Sequence, residues 1–299
     1  MISVIVYTRN DEQTIEWCLE SLTSQKSKTD YEVIVIDDCS LDRTPEIVER
    51  KFPRFRIIRH DRVRGWVASL HEHMPEFHGD ILAFLGPHCR AREGWLSSVE
   101  QEMAKGPKVI SGMGYIGTGN LLDRYVGYAI PSYWEDQEEA DFIWDDNFAI
   151  IPEILEDGLP RTDYPLSEGA GAVMLSRRLK DMGITIYSRP SVKIDHVGNS
   201  LTRVIGLWYE MAAVNAVAMR RVESSKSGAL LLKVWPVAAA LIAAGRLVQS
   251  SLSMIRTRRM FRIPIPESGF HIVFQIYLMP VYFLGLCRQF VMTRKQNVT

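Results

Sequence analysis

The sequence predicts an α/β protein, with a mostly parallel central sheet and a C-terminal set of amphipathic and apolar helices. Three observations predict it. Short β-branched runs alternate with amphipathic stretches over the first hundred residues. Those runs are near-continuously apolar, as strands buried on both faces are. Beyond residue 200 the chain turns basic and aliphatic. With 299 residues, 46% hydrophobic and 24% charged, it suits one large domain with an appendage, or two domains. The composition excludes a disordered tail, a collagen-like repeat and a disulfide-stapled mini-protein.

Each element has a local reason. Residues 2–7 read as a first strand, and Asn10 or Asp11 caps a helix on which Ile15, Cys18, Leu19 and Leu22 recur at helical spacing. Residues 31–36 form a second strand ending at Asp37-Asp38, and Ser40 or Asp42 caps a helix running to about Lys51. A third strand over 55–59, a helix over 67–74 and a fourth strand over 80–85 follow. This repetition implies βαβ units, in which ligands lie beyond the carboxyl ends of the strands. Residues 108–111 are strand-like, 173–182 helical, and 184–187 and 192–194 are strands leading to Asp195-His196. Between them lies an acidic loop holding Asp141, Asp145 and Asp146 among Trp134 and Trp144. It is either a solvated flap or a source of metal-binding carboxylates.

Charge divides the chain. Residues 1–198 hold 22 Lys/Arg against 33 Asp/Glu, whereas 199–299 hold 13 against three. The predicted boundary is therefore a domain over 1–200 and a helical region over 201–299. Residues 204–221 are amphipathic, and 234–245 and 270–287 are free of charged side chains, the second interrupted by Pro280. Crossing a bilayer takes about 20 apolar residues, so the first run is too short and the second is at the limit. Arg256, Arg258, Arg259 and Arg262 lie between them and suit anionic head groups. Association with a membrane surface is expected, with a buried helical subdomain as the alternative. Nucleic acid is not expected as a partner, because the basic residues alternate with aliphatic runs rather than stacking aromatics. Cys18, Cys39, Cys89 and Cys287 form no Cys-x-x-Cys pair and read as reduced thiols. No signal peptide is visible. The expected place is the cytoplasmic face of a membrane.

Asp37-Asp38 stands where carboxylates accept hydrogen bonds from a nucleobase or ribose, or cap a helix. Thr8-Arg9-Asn10-x-Glu12 faces the same crevice from the first strand. Together they suggest a nucleotide pocket. No Walker A loop is present, and no Gly-x-Gly-x-x-Gly follows the first strand, which argues against a P-loop kinase or a dinucleotide oxidoreductase.

The runs Ser-Val-Ile-Val-Tyr-Thr-Arg-Asn at 3–10, Thr-Ile-x-x-Cys-Leu-x-Ser-Leu at 14–22 and Val-Ile-Val-Ile-Asp-Asp-Cys-Ser-x-Asp-x-Thr at 33–44 resemble the family 2 inverting glycosyltransferases. The similarity continues through 81–85, Gly94-Trp95-Leu96, Arg178-Leu179-x-x-x-Gly183 and Pro190 to His196. It covers roughly 1–198, and the last hundred residues are similar to the apolar C-terminal helices of membrane-associated members. The resemblance implies a GT-A fold, a nucleotide-diphosphate sugar donor and a divalent cation, Mn or Mg. It implies Thr8, Asn10 and Glu12 beside base and ribose, Asp38 on the base, and His196 on the metal or diphosphate side.

The departures are specific. The family's Asp-x-Asp, whose last carboxylate holds the metal, falls on Gly86-Pro87-His88. His88 offers an imidazole instead, which favours a softer ion than Mg²⁺. The family's Glu-Asp, whose Asp is the general base, aligns with Gly171-Ala172, and the nearest carboxylate is Glu168. The expected chemistry is a single inverting displacement with Glu168 as base. His88 and His196 on a metal, or Arg9 and Arg64 without one, offset the charge of the leaving diphosphate. Trp95 is a candidate for stacking on an acceptor sugar. The acceptor is expected to be a glycan or lipid-linked glycan. The alternative is a catalytically weak or inactive sugar-nucleotide-binding partner subunit.

Overall fold

The computed structural model describes residues 1–116, 138–140, 142–159 and 168–196, with isolated positions 205, 244, 245, 248 and 280–283. The chain divides into two compact units, Met1–Gly117 with Ser132–Val197, and Thr118–Pro131 with Gly198–Thr299. Nearly all described residues belong to the first. The helices expected over 204–221, 234–245 and 270–287 lie almost wholly outside the described residues.

The first unit is built on an eight-stranded sheet in the order β3-β2-β1-β4-β7-β6-β8-β5. Its strands are β1 (Ile2–Thr8), β2 (Tyr31–Asp37), β3 (Arg56–Arg59), β4 (Ile81–Leu85), β5 (Cys89–Ala91), β6 (Val109–Ile116), β7 (Asn147–Ile150) and β8 (Tyr187–His196). The half formed by β3, β2, β1 and β4 is parallel. Beyond β4 the pairings β4–β7, β6–β7 and β5–β8 are antiparallel, while β6–β8 is parallel. The sheet is therefore mixed, correcting the expectation of a mostly parallel one. The helix-linked strands are parallel because a crossover returns the chain in the same direction. The short strands β5 and β7 carry no such signature, and the sequence reading did not see them.

The helices are α1 (Ile15–Thr23), α2 (Thr44–Lys51), α3 (Trp66–His73), α4 (Trp95–Met103), α5 (Pro152–Gly158) and α6 (Glu168–Asp181). Strand β1 is buried along its whole length. On one face Val4, Val6, Val33, Val35 and Ala83 pack with Ile15, Cys18, Leu19 and Leu22 of α1, Val48 of α2, and Trp95, Leu96 and Val99 of α4. On β4 and β7, Phe84 and Phe148 stack at 4.2 Å, and Trp66 of α3 meets both edge-on. Such pairs add about 0.5–1.5 kcal/mol each beyond their buried area. Helix α6 packs on α3 and α5 through residues that include Ala172, Leu175 and Leu179, all buried.

Two local expectations are corrected and one is narrowed to a single residue. Asp11 does not cap α1 with its carboxylate, which accepts from Thr8 Oγ1 and Arg9 N, and Asn10 is spent on Leu41. Ser40 Oγ accepts from Asn10 N, leaving Asp42, whose Oδ1 accepts from Thr44 N at 2.9 Å, to hold the start of α2. The two strands expected over 184–187 and 192–194 are one, β8, with an irregular register against β6 between Gly112 and Met113.

Candidate active site

Two groups of polar side chains gather beyond the carboxyl ends of the parallel strands. The first begins at β1 and β2, where Thr8 pairs with Asp37 in register. The chain after β1 is laced to the chain after β2. Asn10, at φ 60°, donates from its N to Ser40 Oγ at 2.9 Å and accepts from Leu41 N at 2.8 Å. Asparagine tolerates that left-handed conformation better than most residues. Glu12 N donates to Asp42 at 3.1 Å, and Glu12 Oε2 accepts from Arg43 Nε at 3.0 Å. The structure thus brings Thr8, Asn10 and Glu12 together where the chain leaves β1, with Arg9 exposed beside them.

Asp38 forms the floor. Its Oδ1 accepts from His60 Nδ1 and Arg64 N, both at 2.8 Å, and its Oδ2 from Tyr7 Oη at 2.6 Å and Gly65 N at 2.9 Å. Burial pushes this carboxyl up, but the four hydrogen bonds outweigh burial and hold it below the usual value. A carboxylate offers about four lone-pair sites, and all are taken from within the protein. Asp38 as it stands therefore holds the 60–65 turn. Asp37 is the opposite case. Burial raises its carboxyl above the usual value, and its Oδ1 is buried without a hydrogen-bond partner. Arg64 binds Glu72 at 2.5 Å and Asp61 at 3.5 Å.

From Asp38 a chain of bonds continues outward, to a Glu76 side chain that is 45% exposed. His60 Nε2 meets His73 Nε2 at 2.9 Å, and His73 Nδ1 meets Glu76 at 2.7 Å. No motif signalled this chain, because β3 and α3 supply its members separately.

The second group lies beyond β4. Antiparallel pairing sets Leu85 against Asn147, so Gly86 and Asp146 face each other, and Gly86 N donates to the Asp146 carbonyl at 3.0 Å. Pairing of β5 with β8 sets Cys89 against His196. His88 Nε2 lies 2.9 Å from Asp146 Oδ1, and His196 Nε2 3.9 Å from Asp146 Oδ2. The two imidazoles are 4.6 Å apart between centroids. His88, Cys89, Asp146 and His196 each present a ligand atom within 4.8 Å of the others. The expected pair His88 and His196 is thus brought together, and Asp146 of the acidic loop is buried between them rather than solvated. This donor set of imidazole nitrogens and a carboxylate fits a divalent cation of borderline softness better than Mg²⁺.

Two further positions are informative. Trp95 is 1% exposed, with its Nε1 bonded to Asn147 Oδ1 at 2.9 Å. A ring enclosed in the core has no face for a sugar, so its expected acceptor role is corrected. At Gly171 a Cβ would lie 2.4 Å from Trp66 Cε3 and 2.9 Å from Val67 Cγ2, and Ala172 is 2% exposed. Neither position has room for a carboxylate. Glu168 is the first residue of α6, four residues before Ala172.

Comparison with known proteins places this architecture in a class. Residues 3–159 match the model of glycosyl transferase family 2, and the chain belongs to that family. It is 27% identical over 200 residues to the glycosyltransferase AglE of Haloferax volcanii, covering 62% of this chain and 63% of that protein. It is 53% identical over 49 residues to the poly(ribitol-phosphate) beta-N-acetylglucosaminyltransferase TarS of Staphylococcus aureus, 16% of this chain and 9% of that one. The chain thus spans less than two thirds of these relatives. Among solved structures it superimposes on the mannosyltransferase PcManGT from Pyrobaculum calidifontis, in complex with GDP-Man and Mn²⁺, with a TM-score of 0.62 at 18% identity, covering 97% of this chain and 86% of that one. It superimposes on S. aureus TarS 1–349, in complex with UDP-GlcNAc, with a TM-score of 0.53 at 16% identity, covering 99% and 92%. These likenesses establish the GT-A fold.

Proposed function

We propose that the protein transfers a sugar, with inversion, from a nucleoside-diphosphate donor to a glycan or lipid-linked hydroxyl. The observation that carries this reading is the convergence of His88, Asp146 and His196 just beyond β4, where the family keeps its diphosphate-side carboxylate. The laced turns carrying Thr8, Arg9, Asn10 and Glu12 form the donor wall, and Asp38 fixes the turn bearing Arg64. Glu168 takes the proton of the acceptor hydroxyl as it attacks the anomeric carbon. The charge that develops on the departing diphosphate needs a positive counterpart. His88 and His196 would hold a divalent cation, which would supply that charge, and Arg9 follows the carboxyl end of β1 as His88 follows that of β4.

The basic C-terminal hundred residues support attachment to the cytoplasmic face of a membrane, which would place the pocket near a lipid-linked acceptor. No helix among the described residues is long and apolar enough to cross a membrane.

The test is calorimetric titration of the full-length protein with UDP and GDP, with and without Mn²⁺, followed by turnover of Glu168→Gln. Binding of one nucleotide, with turnover lost but binding kept in Glu168→Gln, supports the reading. Nucleotide binding with no turnover in the unaltered protein would make the chain a sugar-nucleotide-binding partner subunit instead. No binding under any condition would overturn the donor pocket.

A further inference from the structure

We infer that Asp146 is the carboxylate of the cation site, supplied from β7's side of the β4–β7 pair because Gly86 leaves room for it. The inference rests on the donor reading above and goes beyond it, since neither the family's motif nor its spacing points to residue 146. The geometry is exclusive. A Cβ built on Gly86 would lie 2.1 Å from Asp146 Oδ1, 2.8 Å from its Cγ and 3.1 Å from its Cβ. Positions 86 and 146 therefore have room for one carboxylate between them, not two. Strand pairing fixes which groups compete, because the register Leu85↔Asn147 and the bond from Gly86 N to the Asp146 carbonyl hold the two backbones together.

The two oxygens of Asp146 then face different imidazoles. Oδ1 is 2.9 Å from His88 and Oδ2 is 3.9 Å from His196, and the three side chains are 10%, 13% and 6% exposed. A carboxylate sunk this far needs compensating positive charge or hydrogen bonds. Two imidazoles and a carboxylate make a nitrogen-rich set that selects Mn²⁺ or a similar ion over Mg²⁺, which takes oxygen ligands. The same three side chains without an ion make a His–Asp–His cluster in which only the His88–Asp146 contact, at 2.9 Å, is of hydrogen-bond length, and the experiment separates the two.

Mn²⁺ is titrated into the full-length protein by calorimetry and followed by electron paramagnetic resonance, alone and with UDP or GDP, with Mg²⁺ as competitor. The unaltered protein should bind Mn²⁺ in preference to Mg²⁺, and the isosteric Asp146→Asn should weaken Mn²⁺ at least about tenfold while keeping the thermal unfolding temperature. Asp146→Gly should lose Mn²⁺ equally, and Gly86→Asp added to it should recover most of the affinity. Mn²⁺ binding unchanged in Asp146→Asn but lost in His88→Ala and His196→Ala would overturn the inference and leave the cation site standing without Asp146. Nucleotide binding with no Mn²⁺ binding would also overturn it, and leave the donor reading intact. Absence of nucleotide binding, with Mn²⁺ bound through Asp146, would sink the donor reading alone.

Discussion

Tyr7 Oη donates to Asp38 Oδ2 at 2.6 Å in the interior, joining the last turn of β1 to the residue after β2. The Tyr7 hydroxyl takes one of the lone-pair sites of that buried carboxylate. Tyr7→Phe removes the hydroxyl and leaves a buried lone pair unsatisfied, which costs about 1–3 kcal/mol. Urea denaturation at pH 7 should show that loss as a lower midpoint with an unchanged slope.

The adjacent carboxylates should respond to pH with opposite signs. Asp38 is held below its ordinary value in the folded state. Its stabilisation is therefore present above the unfolded value of about 3.9 and is lost as pH falls through the folded one. Asp37 is raised by burial, so its favourable contribution exists below the unfolded value and is lost as pH rises through the folded one. Asp37→Asn should stabilise the protein by about 1 kcal/mol at pH 7 and by little at pH 3. Asp38→Asn should destabilise by about 2–4 kcal/mol at pH 7, with the difference shrinking in acid. Thermal unfolding of both variants across pH 3–8 checks the signs.

Gly171 is where α6 meets α3. Its missing Cβ is the space that the Trp66 ring fills, so Gly171→Ala overpacks the contact and should cost about 1–3 kcal/mol. Restoring the family's pair by Gly171→Glu with Ala172→Asp should fail to return a working base to a Glu168→Gln protein, because the new carboxylates meet the core. Chemical denaturation and turnover of the combined variant are the measurements.

Trp95 gives a test of core against acceptor roles. Trp95→Ala should lose about 3–5 kcal/mol of stability. Trp95→Phe, which keeps most of the packing but loses the bond to Asn147, should leave the KM for the acceptor unchanged. A selective rise in acceptor KM with stability retained would return Trp95 to the acceptor site.

Periodicity made the first half of the fold readable. Val4, Val6, Val33 and Val35 lie in strands long enough to show a pattern, and Ile15, Cys18, Leu19 and Leu22 repeat at helical spacing, because local backbone geometry writes itself into residues near in sequence. That Thr8, Asn10 and Glu12 stand together just beyond β1 was legible for the same reason, since they follow a strand that could be recognised. The strands β5 and β7 were not, being three and four residues long, too short to show a period. Their pairings bring His88, Asp146 and His196 together from positions 58 and 50 residues apart. The sequence by itself determined the alternating α/β half and the family, and it singled out His88 and His196. Only the tertiary structure decided that Asp38 is saturated from within, that Trp95 is enclosed, and that Asp146 enters the space Gly86 leaves. Those outcomes depend on volume and hydrogen-bond saturation between distant segments, which no local pattern encodes.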